Sequence, residues 1–121
     1  MATATKSAIT FQASASNAAA ATTTGTGQDY TTAVDGGRIY AKITNGGTGP
    51  TVACDFVVQE SSDNSTYREV SRQTAGKTNS GVYEFVYDIP RGTMYVRTVF
   101  VGNTGQTVTV EAYGTKYASI A

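Results

Sequence analysis

Apolar and polar side chains alternate with a period of two along most of the chain after residue 29. Such alternation is typical of β-strands that place one face against a core and the other toward solvent. The predicted inward rows are Ile39, Ala41 and Ile43; Val52, Cys54, Phe56 and Val58; Tyr83, Phe85, Tyr87 and Ile89; Met94, Val96, Thr98 and Phe100; and Val108, Val110 and Ala112. No segment shows a helical period of convincing length.

Clusters of Gly, Asn and Asp separate these rows at intervals of roughly 8–12 residues, a spacing typical of sandwiches and barrels. The Asp35-Gly36-Gly37 segment predicts a tight turn, because Asp and Gly tolerate positive φ. The predicted strands cover residues 30–34, 38–44, 51–59, 66–72, 82–89, 93–101 and 106–113. The pattern predicts an all-β, antiparallel β-sandwich of about eight strands, either a jelly roll or an immunoglobulin-like sandwich.

Residues 1–26 differ from residues 27–121, which form the predicted sandwich domain. They consist mainly of Ala, Thr and Ser and carry one charge, on Lys6. Residues 8–12 are predicted as a short strand, and two alternatives remain for the whole segment: an extended N-terminal arm or the first strand of the domain. An arm with few charges can join a neighbour's sheet through backbone hydrogen bonds. In that case Ile9 and Phe11 are the expected contact residues.

Chain length and charge narrow the classes of function. A chain of 121 residues has room for one domain. Nine basic and nine acidic residues cancel, which argues against nucleic acid and anionic membranes as partners. No apolar run approaches the roughly 20 residues of a membrane span, and the start lacks the apolar stretch of a signal peptide. We therefore expect synthesis and assembly in the cytoplasm.

The residue types that most catalytic sites need are scarce. The chain has no His, so Ser-His-Asp triads, Cys-His dyads and His metal ligands are excluded. Cys54 is the single cysteine, and its place in an apolar strand predicts a buried thiol. Glu60 and Glu69 flank one predicted hairpin as a glycosidase pair would, and residues 63–65 supply oxygens of the kind that bind calcium. Solvated strand residues and a plain turn are simpler interpretations, so we expect no catalytic residue, metal or cofactor.

Eight tyrosines and no tryptophan make up a distinctive aromatic set. Tyr40, Tyr95 and Tyr113 lie opposite the apolar row of their strands. Tyr is amphipathic and is enriched at protein interfaces. These three tyrosines, together with Ile9 and Phe11, are the residues that we predict to form a contact surface.

Two segments resemble those of a known group of proteins. Residues 56–70 resemble the Ser-x-Asp-Gly/Asn-x-x-aromatic hairpin of small β-sandwich proteins from tailed bacteriophages, with Asp63 and Asn64 at the turn and Tyr67 at the aromatic position. Residues 90–105 are similar to the Tyr-Val-Arg penultimate strand of these proteins and the turn that follows it. The resemblance covers about residues 50–113, and no site residues carry over from it.

The resemblance implies a virion structural protein, most specifically a capsid decoration (cement) protein. It implies a homo-oligomer, often a trimer, that binds the major capsid protein within a virion assembled in the host cytoplasm. A tail or neck component of the same particle is one alternative. A carbohydrate-binding module that stacks sugars on its exposed tyrosines is another, although the lack of Trp argues against it.

Overall fold

A computed structural model describes residues 3–120, with side chains described for residues 6–33 and 35–117. The described residues contain nine strands and no helix, and therefore no helix long and apolar enough to span a membrane. The strands are β1 (Thr3–Asn17), β2 (Thr22–Thr24), β3 (Gln28–Asp29), β4 (Ala33–Asn45), β5 (Asp55–Ser61), β6 (Arg68–Thr74), β7 (Val82–Ile89), β8 (Tyr95–Val101) and β9 (Val108–Ile120).

The strands form two antiparallel sheets that pack face to face. Sheet 1 has the order β1-β9-β4-β7, and sheet 2 has the order β2-β8-β5-β6, with β3 pairing with the same strand β8. If β2 and β3 are counted as one interrupted strand, the eight strands follow the orders 1-8-3-6 and 2-7-4-5. This is the double Greek key of a jelly roll. The predicted antiparallel sandwich is confirmed, and the strand order selects the jelly roll over the immunoglobulin-like alternative.

The core lies between the sheets and is built from the predicted inward rows. Phe56 of β5 is its centre, with ring centroids 5.9 Å from Phe85 and 5.4 Å from Phe100. Two residues of the predicted rows are exposed, Val52 at 52% and Met94 at 45%. Both precede the strands that they were expected to join, so strand alternation does not set the direction of their side chains.

The predicted turn at Asp35-Gly36-Gly37 is wrong, because β4 runs through these residues without reversing direction. Gly36 has a φ of +68°, and the register between β4 and β9 shifts between Ala33 and Gly37. The segment is a β-bulge, which uses the same positive φ as a tight turn. The predicted strand at 30–34 is confirmed only for residues 33–34, which begin β4. Tyr30 lies in a turn before β4, buried in the core, and its hydroxyl donates to the Thr115 carbonyl at 3.0 Å.

Residues 3–17 form part of the sandwich's own sheet, which is the second of the two alternatives above. Strand β1 pairs along β9 from Thr3↔Ile120 to Asn17↔Val108 at the edge of sheet 1. Phe11 is 2% exposed and stacks on Tyr30 with ring centroids 6.3 Å apart, while Ile9 is partly buried against the core. Within the single chain, Phe11 therefore belongs to the core and does not lie on the surface with the predicted tyrosines. Exchange of this strand between chains stays a prediction.

Candidate functional site

Three apolar side chains line up on the outer face of sheet 1. Tyr40 of β4 lies directly opposite Val86 of β7 on one side and Tyr113 of β9 on the other. Their exposed fractions are 49%, 51% and 41% respectively. We call Tyr40, Val86 and Tyr113 the tyrosine patch. The structure thus brings together two of the predicted contact residues and adds a valine to them.

Polar residues border the tyrosine patch along the strands in both directions. On one side the Lys42 Nζ atom lies 3.1 Å from Glu111 Oε1. On the other side Arg38 Nε lies 2.5 Å from Asp88 Oδ1. Tyr40, Val86 and Tyr113 also line a shallow cleft of about 300 Å³. An apolar centre with a polar rim is the composition of a protein–protein interface, and these rim charges already compensate each other within the chain.

The outer face of sheet 2 also carries aromatic residues, but they contact their own chain. The Arg97 guanidinium carbon lies 4.0 Å from the centroid of the Tyr67 ring. The Tyr67 hydroxyl donates to Asn64 Oδ1 and packs against Gly27, where no room remains for a Cβ atom. Partial burial raises the pKa of the Tyr67 phenol, although the nearby Arg97 acts in the opposite direction.

Tyr95, the third predicted tyrosine, does not join the tyrosine patch. It lies on β8 of sheet 2, opposite Asp29 of β3 and Ser61 of β5, and is partly buried. The sequence placed it correctly on the outer side of its strand. The assignment of that strand to the other sheet separates it from Tyr40 and Tyr113.

The turn between β5 and β6 explains the motif that carries the phage resemblance. Asp63 Oδ1 accepts hydrogen bonds from the backbone N–H groups of Ser65 and Thr66, both at 2.9 Å, and from the Ser61 hydroxyl at 2.8 Å. The bond from the Thr66 N–H, followed by the Ser61 hydroxyl and the Ser65 N–H, lowers the pKa of the Asp63 carboxyl. Asn64 takes the left-handed conformation with a φ of +58°. Asp63 thus caps the turn that brings Tyr67 over Arg97.

Glu60 and Glu69 do not form a facing pair of carboxylates. Glu69 lies opposite Gln59, one position from Glu60, so the two side chains leave opposite sides of the hairpin. Glu69 Oε1 binds Arg72 Nη2 at 2.8 Å, whereas Glu60 Oε1 accepts from the Thr93 hydroxyl at 2.5 Å. Two carboxylates on opposite sides of a hairpin cannot flank one glycosidic bond.

The remaining candidates for chemistry are a thiol and an open cleft. Cys54 is buried in the core, and burial raises the pKa of its thiol to about 11, which leaves little thiolate at neutral pH. A cleft of about 510 Å³ lies at one end of the sandwich, where Glu60, Arg68 and Met94 line it. Among residues with described side chains, no group of three or more Cys, Asp or Glu could hold a metal ion.

Val86 is the member of the tyrosine patch that sequence reasoning missed. It belongs to the outward row Val82, Glu84, Val86 and Asp88 of β7, in which apolar and acidic residues alternate. The inward row of Tyr83, Phe85, Tyr87 and Ile89 is the more strongly apolar of the two, so alternation assigns that row to the core and Val86 to the solvated side. The signal that could have identified Val86 is an outward row in which every other residue is apolar.

No protein-family model matches the sequence, and no curated protein matches it either. Solved structures share the fold at low identity. The PBSX exported protein XepA matches with a TM-score of 0.63 and 14% identity, over 95% of this chain and 38% of its own length. The SPBc2 prophage-derived protein YomS matches with a TM-score of 0.52 and 16% identity, over 94% and 96%. The infectious bursal disease virus VP2 subviral particle matches with a TM-score of 0.52 and 15% identity, over 97% and 33%.

These similarities establish the fold that this chain shares with the three proteins. XepA and YomS are both phage-derived. This chain spans about 38% of XepA and 33% of the VP2 chain, so it corresponds to one part of each. YomS is matched over almost its whole length.

Proposed function

We propose that this protein is a non-enzymatic structural component of a tailed-phage virion, a capsid decoration protein that binds the major capsid protein. The tyrosine patch is the observation that carries the proposal. It places three apolar side chains in a row on a sheet face, each 41–51% exposed in the single chain. The partner would cover Tyr40, Val86 and Tyr113 and leave the paired charges at the rim.

The physical case rests on what the patch offers to a flat partner. Tyr has few rotatable bonds, so an ordered Tyr loses little conformational entropy when it is buried in an interface. Its ring supplies apolar area, and its hydroxyl can bond at the edge of the contact. The rim pairs Lys42–Glu111 and Arg38–Asp88 keep their partners within the chain, so few uncompensated charges would be desolvated on binding.

The fold and the turn motif support the same role at a coarser level. The phage-derived XepA and YomS share the sandwich architecture with this chain. The capped turn at Asp63 and the aromatic position at Tyr67 are the features of the phage hairpin that the sequence resembles. A structural role in a phage particle is consistent with both, and the decoration role is the more specific proposal.

The test is co-sedimentation of the full chain with empty heads assembled from the major capsid protein encoded in the same genome. The double variant Tyr40→Ser/Tyr113→Ser should bind at least about tenfold more weakly, because central aromatic residues dominate interface energies. The matched control is Tyr95→Ser on sheet 2, which should bind as the unmodified chain does. Failure of the unmodified chain to bind heads, or equal binding by the double variant, would overturn the proposal. Binding to tails instead of heads would overturn the decoration role.

A further inference from the structure

The outer edge of β7 is an open strand edge. Strand β7 pairs with β4 in an uninterrupted register from Gly37↔Ile89 to Thr44↔Val82. No strand among residues 3–120 pairs with its other edge. Natural edge strands are usually protected by bulges, charged side chains or Pro, and β7 has no register shift, no Lys and no Pro, its charges being those of Glu84 and Asp88. The opposite edge of sheet 1, β1, has two register shifts and carries Lys6.

Alternate residues of β7 present their backbone groups to this open edge. The Asn45 N–H donates to the Gly81 carbonyl at 2.8 Å, which shows that odd-numbered residues of this strand direct their backbone groups toward β4. Gln73 Nε2 contacts the Val86 carbonyl at 3.5 Å from the other side. The backbone groups of Val82, Glu84, Val86 and Asp88 therefore point outward.

We propose that two copies of this chain associate by antiparallel pairing of their β7 strands, about a two-fold axis at Phe85. The contact would join the two copies of sheet 1 into one continuous sheet. An isologous contact of this kind closes on itself and gives a dimer, in place of the trimer that the family resemblance implies. The dimer uses the backbone edge of β7, and the proposed capsid contact is centred on Tyr40 and Tyr113 of the sheet face. Val86 borders both surfaces. Either proposal can fail alone, because Glu84→Pro tests the edge and Tyr40→Ser/Tyr113→Ser tests the face.

The side-chain pattern of β7 selects the position of the axis. Residues directly opposite each other in an antiparallel pair point to the same face, and like charges in such a pair are unfavourable. An axis at Glu84 places the two Glu84 carboxylates opposite each other. An axis at Val86 places Glu84 opposite Asp88 of the second copy. An axis at Phe85 places each Glu84 opposite Val86 of the second copy, and each Val82 opposite its Asp88, so no like charges meet. It also pairs more of β7 than an axis at Tyr83 or Tyr87 would, because it lies near the middle of the strand.

The same register places aromatic residues opposite each other on the inner face. Tyr83 would lie opposite Tyr87 of the second copy, and the two Phe85 rings would face each other across the axis. Phe85 and Tyr87 are partly exposed at this flank of the sandwich, although both also pack against the core. Cross-strand aromatic pairs of this kind stabilise antiparallel sheets. The pairing would cover them at this flank. On the outer face it would place Asp88 and Glu84 of the second copy beside Val82 and Val86, which are 55% and 51% exposed.

The register is tested by two substitutions at Val86, which is exposed and tolerates a polar residue. Val86→Glu places two acidic side chains opposite each other at both symmetry-related positions. Val86→Lys places a cation opposite each Glu84. Sedimentation equilibrium should show a dimer of the 12.6 kDa chain that Val86→Glu weakens at least about tenfold relative to Val86→Lys. Equal effects of the two substitutions would overturn the register.

The edge itself is tested by Glu84→Pro, with Glu84→Gln as the matched control. The Glu84 N–H points outward, so proline at this position removes no hydrogen bond to β4 and is tolerated at a strand edge. Glu84→Pro should give a monomer with an unchanged circular dichroism spectrum, and Glu84→Gln should remain a dimer. A monomer for the unmodified chain, or any oligomer that Glu84→Pro leaves intact, would overturn the proposal. An oligomer that Tyr113→Ser disperses and Glu84→Pro does not would place self-association on the sheet face instead.

Discussion

Both sheets carry apolar residues on their outer faces, but these residues are exposed on sheet 1 and largely covered on sheet 2. On sheet 1, Tyr40, Val86 and Tyr113 are 41–51% exposed and have only one another as apolar neighbours across the strands. On sheet 2, Val57 and Val99 face each other across β5 and β8 and are only 1% and 7% exposed. An outward position in a strand therefore does not by itself make a side chain accessible to a partner. Neighbouring side chains decide whether that residue is exposed or covered.

Long side chains make the difference on sheet 2. Arg72 lies opposite Val57 and binds both Asp55 and Glu69, at 2.5 Å and 2.8 Å. Arg97 lies over Tyr67 and also donates to Gln59 Oε1 at 2.8 Å. The aliphatic parts of such residues cover apolar surface while their charged ends stay hydrated. Sheet 1 has two ion pairs at the rim of its patch, at 2.5 Å and 3.1 Å, and no arginine lies over the ring of its tyrosines among the residues with described side chains.

The largest expected effect is a difference in the free energy of unfolding between alanine substitutions of one valine on each outer face. Val57→Ala should lower the free energy of unfolding by about 2 kcal/mol, because it removes two buried methyl groups and leaves a cavity. Val86→Ala, the same change at an exposed site, should alter it by less than about 0.5 kcal/mol. Urea denaturation of the two variants measures the difference. Equal losses would show that the two faces do not differ in the way proposed.

A smaller effect is expected for the aromatic residues. Tyr67→Leu removes the ring beneath Arg97 and the hydrogen bond to Asn64, and should lower the free energy of unfolding by about 1 kcal/mol. Tyr113→Leu should change it by no more than about 0.5 kcal/mol, while it weakens binding to capsid heads. Thermal or urea unfolding of both variants provides the test. A stability loss at Tyr113 as large as that at Tyr67 would contradict the comparison.

The smallest effect concerns pH and the charges on sheet 2. Hydrogen bonds from Arg72 lower the pKa of the Glu69 carboxyl below its ordinary value of 4.5. A group whose pKa is lower in the folded state stabilises that state above its ordinary pKa. Its contribution is lost as the pH falls below 4.5 and through the folded-state value. Unfolding measured between neutral and acidic pH should show a shallower decline for Glu69→Gln than for the unmodified chain, and identical slopes would exclude the contribution.

The strand pattern could be predicted because it depends on local alternation. The rows Ile39-Ala41-Ile43 and Val108-Val110-Ala112 are buried as predicted, since neighbouring residues in a strand must point to opposite faces. Asp35-Gly36-Gly37 was assigned to a turn because a positive φ suits both a turn and a bulge. Only the partner strand shows which of the two is present, and β9 pairs on both sides of Gly36.

The candidate site could be predicted in part. Tyr40 and Tyr113 were recognised as outward residues, and their exposure agrees with this. Tyr95 and Phe11 were grouped with them, yet Tyr95 lies on the other sheet and Phe11 lies in the core. Sequence alternation assigns a residue to one side of its own strand, but it carries no information about which strand comes next to it in the sheet.

The sequence by itself determined the all-β class, the inward rows of the strands, the capped Asp63 turn and the lack of histidine chemistry. Each of these depends on residue identity or on neighbours within a few positions. The tertiary structure alone decided the jelly-roll order, the union of Tyr40, Val86 and Tyr113, and the open edge of β7. These depend on pairing between strands distant in the chain, such as β4 with β9, and that pairing is governed by how the whole core packs.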